Sequence, residues 1–339
     1  MAVYRKTLTM KQSNNIAIIL ILFLVFSLLL AGCKTNSKIV VIKLGHGLDP
    51  THPVHLAMEL MADLVAERSQ GRMRIDIYPS EQLGSERECL ELLQIGSLGM
   101  TKVSCSALEG FVPAMSILSL PYLFRDKEHR FKALEGEPGR KLLLAGEKYW
   151  LRGLCYYDAG SRSFYTKDKP VLSPSDLEGI KVRTQESPTS MRMVTALGGS
   201  PTPIAWGELY SALQQGVVDG AENNPPSFHL SRHYEVCKFY SLDEHTAVPD
   251  ILIVSTKVWQ SLSSEFKSLL QEAAAESAIY QKKLWKKATQ RALEEVQAHG
   301  VRIYYPDKRL FADKVNSLYK KYENQPEINR IIQQIKAVR

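Results

Sequence analysis

Two arginines are the side chains best suited to chemistry with a small anion: Arg162 in DAGSRSFY and Arg183 at the close of GIKVR. A guanidinium presents a planar fork that grips a carboxylate through two parallel hydrogen bonds, and it keeps its charge when partly buried. Arg183 falls at the carboxyl end of a strand-like run, where open α/β sheets meet their ligands. Taken alone, each arginine is more often a solvated surface residue. The stretch LQQGVVDGAENNPPSFH adds Glu222, Asn223 and Asn224 ahead of Pro225 and Pro226. A helix over Glu208–Val218, ended by a left-handed cap at Gly220, would hold these amides in extended backbone, because the prolines forbid its continuation. Each amide offers donors and an acceptor, which suits a polyhydroxylated ligand; a capping turn is the alternative. Trp206, in PIAWG, either stacks on the C–H face of a sugar ring or fills a core.

Metal chemistry has one pointer. His229, His233 and Cys237 recur every four residues, and a helix over Ser227–Cys237 would bring them to one face able to bind zinc. That constellation carries the rival reading of a metal-dependent lipoprotein enzyme. A second cluster, His46, His52 and His55, lies in GHGLDPTHPVH. No HExxH, GxSxG, Walker loop or GxGxxG accompanies either cluster, which is weak evidence against catalysis and not proof of it; the expectation is no enzyme and no cofactor. Cys89, Cys105, Cys155 and Cys237 lack CxxC spacing and read as scattered buried thiols, although an exported protein could pair them.

The elements that must position these residues begin after a leader. Arg5, Lys6 and Lys11 precede an apolar run, Ile16–Leu30, that stops at Leu30-Ala31-Gly32-Cys33. A stretch of this kind reads as a secretory signal rather than a bilayer span, with Met10 as an alternative start. The small residues before Cys33 resemble a bacterial lipobox, whose cysteine is acylated to tether the domain to a membrane. The formal charge is +7, and three of the basic groups lie in residues 1–32, which leaves a mild +4. That balance suits small anions and offers no basic block for nucleic acid.

Beyond the leader, IVVIKLG reads as a strand, His55–Arg68 as a helix, MRIDIYP as a strand with Met73, Ile75 and Ile77 on one face, and Glu88–Gln94 as a helix. The apolar patch near Ile117–Phe124 reads as a further strand. This alternation predicts an α/β lobe with a mostly parallel sheet. A second unit begins near Gly160, with strands at Leu177–Arg183 and Ile251–Ser255 and helices at Ser190–Leu197 and Trp206–Val218. From Leu262 to His299 there is neither proline nor glycine, and apolar residues recur every three or four positions. Such a helix would run about 50 Å, too long for one lobe to cover, so it is expected to span two.

In the order in which they stand, SQGRMRIDIYPSEQLGSERE, LPYLFRD, GSRSFYT, DLEGIKVRTQES, ALGGSPTPIAWGELYSALQQGVVDGAENNP and YEVCKFYSLDEHT resemble the extracytoplasmic solute receptors of TRAP (tripartite ATP-independent periplasmic) transporters. The resemblance implies a two-lobed periplasmic-binding-protein-like α/β fold with mixed, mostly parallel sheets, crossover strands and one long helix bridging both lobes. It divides the chain into a signal peptide at 1–32, a tether at 33–37, lobe I at 38–159 plus 249–288, lobe II at 160–248 plus 289–310, and a C-terminal helical segment at 311–339. It implies that Arg183 binds the ligand carboxylate, that Arg162 assists, and that Asn223, Trp206 and Glu86 line the cleft. Sialic acid receptors place a glutamate where this chain has Ser104, and Asn224, Lys102 and the loop bearing His46 mark a different pocket. The wording is nearest to receptors of hexuronates such as glucuronate or galacturonate. Capture, lobe closure and delivery to a two-part membrane permease follow from that kinship; a sensor feeding a membrane kinase is a further alternative.

Overall fold

Strand β1 (Val40–Gly45) alternates buried and exposed residues and opens the chain's first βαβ unit. A computed structural model describes residues 39–339; the leader, the lipobox and Cys33 lie outside them. Helix α1 (Pro53–Arg68) returns the chain so that β2 (Met73–Tyr78) pairs parallel to β1, from Val40 opposite Met73 to Gly45 opposite Tyr78. Met73 and Ile75 point into the core, as the alternation of MRIDIY requires. Helix α2 (Glu86–Ile95) starts in a Ser85/Glu88 capping box and leads to β3 (Met100–Ser104), again parallel to β1. Strand β4 (Leu151–Tyr157) forms the far edge of this five-stranded sheet, ordered β2-β1-β3-β10-β4, where β10 is the later segment Asp250–Ser255.

The chain then passes through residues 158–161 into a second, six-stranded sheet. It holds β5 (Arg162–Thr166), β6 (Lys181–Thr184), β7 (Ser200–Pro203), β8 (Gly220–Asn223), β9 (Phe239–Thr246) and β11 (Arg302–Tyr304), in the order β11-β9-β5-β8-β6-β7. Helix α3 (Pro188–Ala196) connects the parallel pair β6 and β7, whereas β5 runs antiparallel to both its neighbours. Residues 247–249 bring the chain back, and β10 (Asp250–Ser255) inserts antiparallel between β3 and β4. Each sheet therefore contains a strand that arrives from the other half of the molecule.

The long helix is present, from Ser264 to Ala298, with Ser263 as its N-cap. Its first half, through Leu269, Leu270, Ala273, Ala274, Ala278 and Trp285, packs into the core over the first sheet. Its last turns, through Leu293 and Val296, join the core of the second sheet. Residues 308–337 are helical and return along both halves, with Phe311 and Val315 in one core and Tyr322, Ile332 and Ile335 in another. Among the described residues, no helix is long and apolar enough to cross a membrane.

Two local expectations need correction. Residues Pro113–Ser119 form a 3-10 helix rather than a strand, because prolines bracket a short buried run whose periodicity is silent. The helix expected over Glu208–Val218 is shorter: a 3-10 turn at Trp206–Glu208, then helix over Leu209–Gln214. It is broken at Gly216, whose φ of +74° favours glycine, while Gly220 opens β8 instead. A Cβ on Gly220 would stand 2.4 Å from the Tyr165 carbonyl, so that glycine serves close strand approach. As expected, the amides ahead of Pro225 and Pro226 stand in extended backbone: Asn223 closes β8 and Asn224 has φ −82° and ψ 159°. The prolines themselves occupy the first turn of helix α4 (Pro225–Leu230), where a missing N–H costs nothing.

Candidate functional site

The candidate site is a cleft between the two sheets. Its first-lobe wall comes from the loop after β1, the start of α2, the end of β3 and the start of β10, contributing His52, Glu86, Lys102, Ser104 and Asp250. Its second-lobe wall comes from β5, the residue after β6, the Trp206 turn and the junction of β8 with α4, contributing Arg162, Gln185, Trp206, Asn223 and Asn224. An adjoining recess shares Glu86, Gln185 and Trp206 with the cleft and has Arg183 in its wall. Sequence residues separated by more than a hundred positions thus meet at the ends of strands from both sheets.

Arg183 is 2% exposed. Its Nε donates to the Ile204 carbonyl at 2.9 Å, and its guanidinium lies over the Trp206 ring at 5.9 Å. Its Nη1 is buried and has no partner among the described residues. Burial pushes the pKa of this guanidinium down, with only partial relief from its surroundings. A buried, incompletely bonded cation is costly to a fold, and a carboxylate in the recess would satisfy it.

Arg162 differs. It donates to both carboxylate oxygens of Glu222, at 2.8 Å from Nη2 to Oε1 and in a close contact from Nε to Oε2. It also donates to the Glu222 carbonyl at 2.7 Å and to Asn223 Oδ1 at 2.9 Å. Glu222 is in turn 3.5 Å from His245 Nε2, and His245 Nδ1 is 2.8 Å from Asp243. Burial raises the Glu222 carboxyl, but Arg162 and His245 overcome it and hold it at about 2. Burial opposes the His245 imidazolium, yet Asp243 and Glu222 raise its pKa to about 9. The charge of Arg162 is therefore answered inside the protein, and Glu222 serves this buried chain rather than the open cleft.

The neighbouring amides are held through backbone geometry. Asn223 Oδ1 accepts from Arg162, from the Asn224 N–H at 2.9 Å and from Asn224 Nδ2 at 3.1 Å. Asn224 is the N-cap of α4, accepting the Ser227 N–H at 2.8 Å. Asn224 thus caps the helix, and it also lines the cleft.

On the first-lobe wall, Lys102 is 3% exposed and lies 3.3 Å from both Glu86 Oε1 and Asp250 Oδ2. Burial lowers its pKa, and Asp250 and Glu86 more than restore it. Glu86 Oε1 also accepts the Ser104 N–H at 3.0 Å. The walls touch where Ser104 Oγ donates to Gln185 Oε1 at 3.2 Å and where the Gly207 N–H donates to Glu81 at 3.1 Å. Further out, Glu109 accepts from Ser187 Oγ at 2.5 Å and Thr189 Oγ1 at 2.7 Å, at the start of α3.

His46 is not in the cleft wall. Its Nδ1 accepts the Leu48 N–H at 3.0 Å and its Nε2 is 2.9 Å from His55 Nδ1, so both nitrogens are spent on folding the loop. Burial and Lys102 lower its pKa to about 2. His52 takes the place expected of it. The zinc constellation does not assemble, because α4 ends at Leu230 and Arg232 turns left-handed at φ +57°. His233 Nδ1 instead bonds Tyr165 at 2.8 Å, and among the described residues no cluster of three or more His, Cys, Asp or Glu is placed to hold a metal. The four thiols are free and buried. His52, Gln185 and Asp250 are cleft residues that the sequence reading missed; His52 had a signal, as a polar residue directly before a proline-started helix.

Comparison with known proteins gives a consistent neighbourhood. Residues 44–325 match the family described as bacterial extracellular solute-binding protein, family 7. A curated solute-binding protein of Chromohalobacter salexigens is 34% identical over 84% of this chain and 86% of its own length. A TRAP periplasmic solute-binding protein of Bradyrhizobium sp. BTAi1, solved with α/β-D-galacturonate, is 38% identical with a TM-score of 0.85, covering 87% of this chain and 98% of that one. One from Anaerococcus prevotii, solved with α/β-D-glucuronate, is also 38% identical with a TM-score of 0.85, covering 88% and 97%.

Proposed function

We propose, from the premise that the chain belongs to family 7 of the bacterial extracellular solute-binding proteins and is a TRAP solute-binding protein, that its ligand is a sugar acid of the hexuronate class, such as galacturonate or glucuronate. The observation that carries the reading is the buried Arg183 guanidinium with an unpartnered Nη1 in the wall of the cleft system. A carboxylate supplies what that group lacks, and Trp206 beneath it offers an apolar face to the ring. Arg162 then acts by orienting Asn223, with its own charge already neutralised. The uronate ligands of the two solved relatives support the class.

Binding makes and breaks no covalent bond. A ligand enters between the lobes, which we take as residues 38–159 plus 249–288 and residues 160–248 plus 289–310, and closure brings Ser104 to Gln185 across it. The loaded form delivers its ligand to a two-part membrane permease. Two or three charge-assisted bonds at roughly 1.5–3 kcal/mol each, with a stacked ring, reach the ~8 kcal/mol of micromolar affinity. We further read Cys33 as an acylated anchor, supported by Leu30-Ala31-Gly32-Cys33. Labelling with a radioactive fatty acid should mark the wild-type protein and spare Cys33→Ser.

The decisive experiment is a thermal-shift screen of uronates, aldonates, C4-dicarboxylates and keto acids. A uronate at a hundredfold excess over Kd should stabilise by about 2.7 kcal/mol. A screen in which no uronate stabilises while another class does would overturn the assignment.

A further inference from the structure

On the first-lobe wall, His52 caps α1, and its Nδ1 accepts the Val54 N–H at 3.2 Å. The ring proton of the neutral imidazole must then sit on Nε2. That atom is buried and has no partner among the described residues, on a residue 3% exposed that lines the cleft. The Trp285 indole of the long helix lies 5.7 Å from the ring centre and limits its tilt. Burial and the Lys102 ammonium lower the pKa of His52 to about 3, so it stays an uncharged donor throughout the physiological range. Beside it, one ammonium, Lys102, is shared by two carboxylates, Glu86 and Asp250. Arg162, which also lines the cleft, is neutralised by Glu222, so this end carries more negative than positive charge, and its unsatisfied donor is neutral.

Such surroundings distinguish a hydroxyl from a carboxylate. A hydroxyl accepts from His52 Nε2–H and donates its own proton to Asp250 or Glu86. A second carboxylate could accept from His52 but has no proton to give, and it would face like charge in a poorly screened site. We propose that His52, Lys102, Glu86 and Asp250 form the hydroxyl-reading end of the site and restrict it to sugar acids with a single carboxylate, excluding the matching dicarboxylates. This rests on the sugar-acid reading above and adds its selectivity.

The test is calorimetric titration of the full protein with D-glucuronate and D-galacturonate, and with D-glucarate and galactarate, which carry a second carboxylate at the former aldehyde carbon. Wild-type protein should bind its uronate at least tenfold tighter than the corresponding aldarate. His52→Asn keeps a capping oxygen for α1 but cannot place a donor where Nε2 stands, and it should lose tenfold or more in uronate affinity with a melting temperature close to wild type. Asp250→Asn should narrow the uronate-to-aldarate ratio; should it fail to fold, Glu86→Gln removes the same charge. Equal uronate affinity in wild type and His52→Asn, or an aldarate bound as tightly as the uronate, overturns the inference. Absence of any uronate binding to wild-type protein overturns the sugar-acid reading itself, and this selectivity with it.

Discussion

Arg162 and Arg183 sit in the same sheet, both almost fully buried, and their surroundings could hardly differ more. Around Arg162 the protein supplies a carboxylate, an amide and a carbonyl, and behind them His245 and Asp243. Around Arg183 it supplies one carbonyl and the face of an indole, and leaves Nη1 unbonded. On the proposed function, a buried guanidinium marks a binding site by what it lacks. The charge of Arg162 is neutralised within the frame by Glu222, whereas the incomplete set around Arg183 would be completed by a ligand.

The contrast is broken most violently at Glu222. Glu222→Ala would strand Arg162 as an unpaired buried charge, and unfolding in urea should show a loss of about 3–5 kcal/mol. Arg183→Lys should act in the opposite manner. It keeps the fold but lacks the fork, so uronate affinity measured by calorimetry should fall tenfold or more, about 1.4 kcal/mol. Arg183→Leu sharpens the point: it should abolish binding while the free protein melts no lower than wild type, because it deletes an unsatisfied buried cation.

Acidity gives a third probe of the paired side. The folded pKa of Glu222 is depressed, to about 2, so its contribution is present above its ordinary value near 4.5 and is lost as pH falls toward 2. The pKa of His245 is raised, to about 9, so its contribution is full below 6.5 and is lost as pH rises through 9. Stability should therefore be greatest between about pH 4.5 and 6.5 and fall on both sides, by at most about 1.4 kcal/mol per pH unit for each group. His245→Gln should flatten the alkaline limb of urea-unfolding stability against pH. The smallest effect belongs to Asn224→Ala, which removes the α4 cap and should cost about 1 kcal/mol.

Much of the frame was legible in the chain because it is governed by local pattern. The βαβ opening, the strand at Arg183 and the long helix follow from periodicity and from the absence of breakers, and they stand nearly where expected. The misses share a cause. Pro225 and Pro226 can end one element or begin the next, and their neighbours do not say which. Met100–Ser104 is a buried strand whose form is set by its partners β1 and β10, and Pro113–Ser119 is a buried run between prolines; neither shows a periodicity that declares it. The cluster of His46, His52 and His55 was visible, but which ring lines the cleft depends on which nitrogens the loop consumes.

By itself, the sequence determined the class of chemistry. It placed a forked cation at a strand end, amides nearby, no nucleophile with its base, and a helix too long for one lobe. Only the tertiary structure decided which polar groups remain free. Hydrogen-bond satisfaction is a property of the assembled neighbourhood: Arg162 and His46 are completed by residues distant in the chain or across a loop. Among the described residues, Arg183 and His52 have no such partner at Nη1 and Nε2.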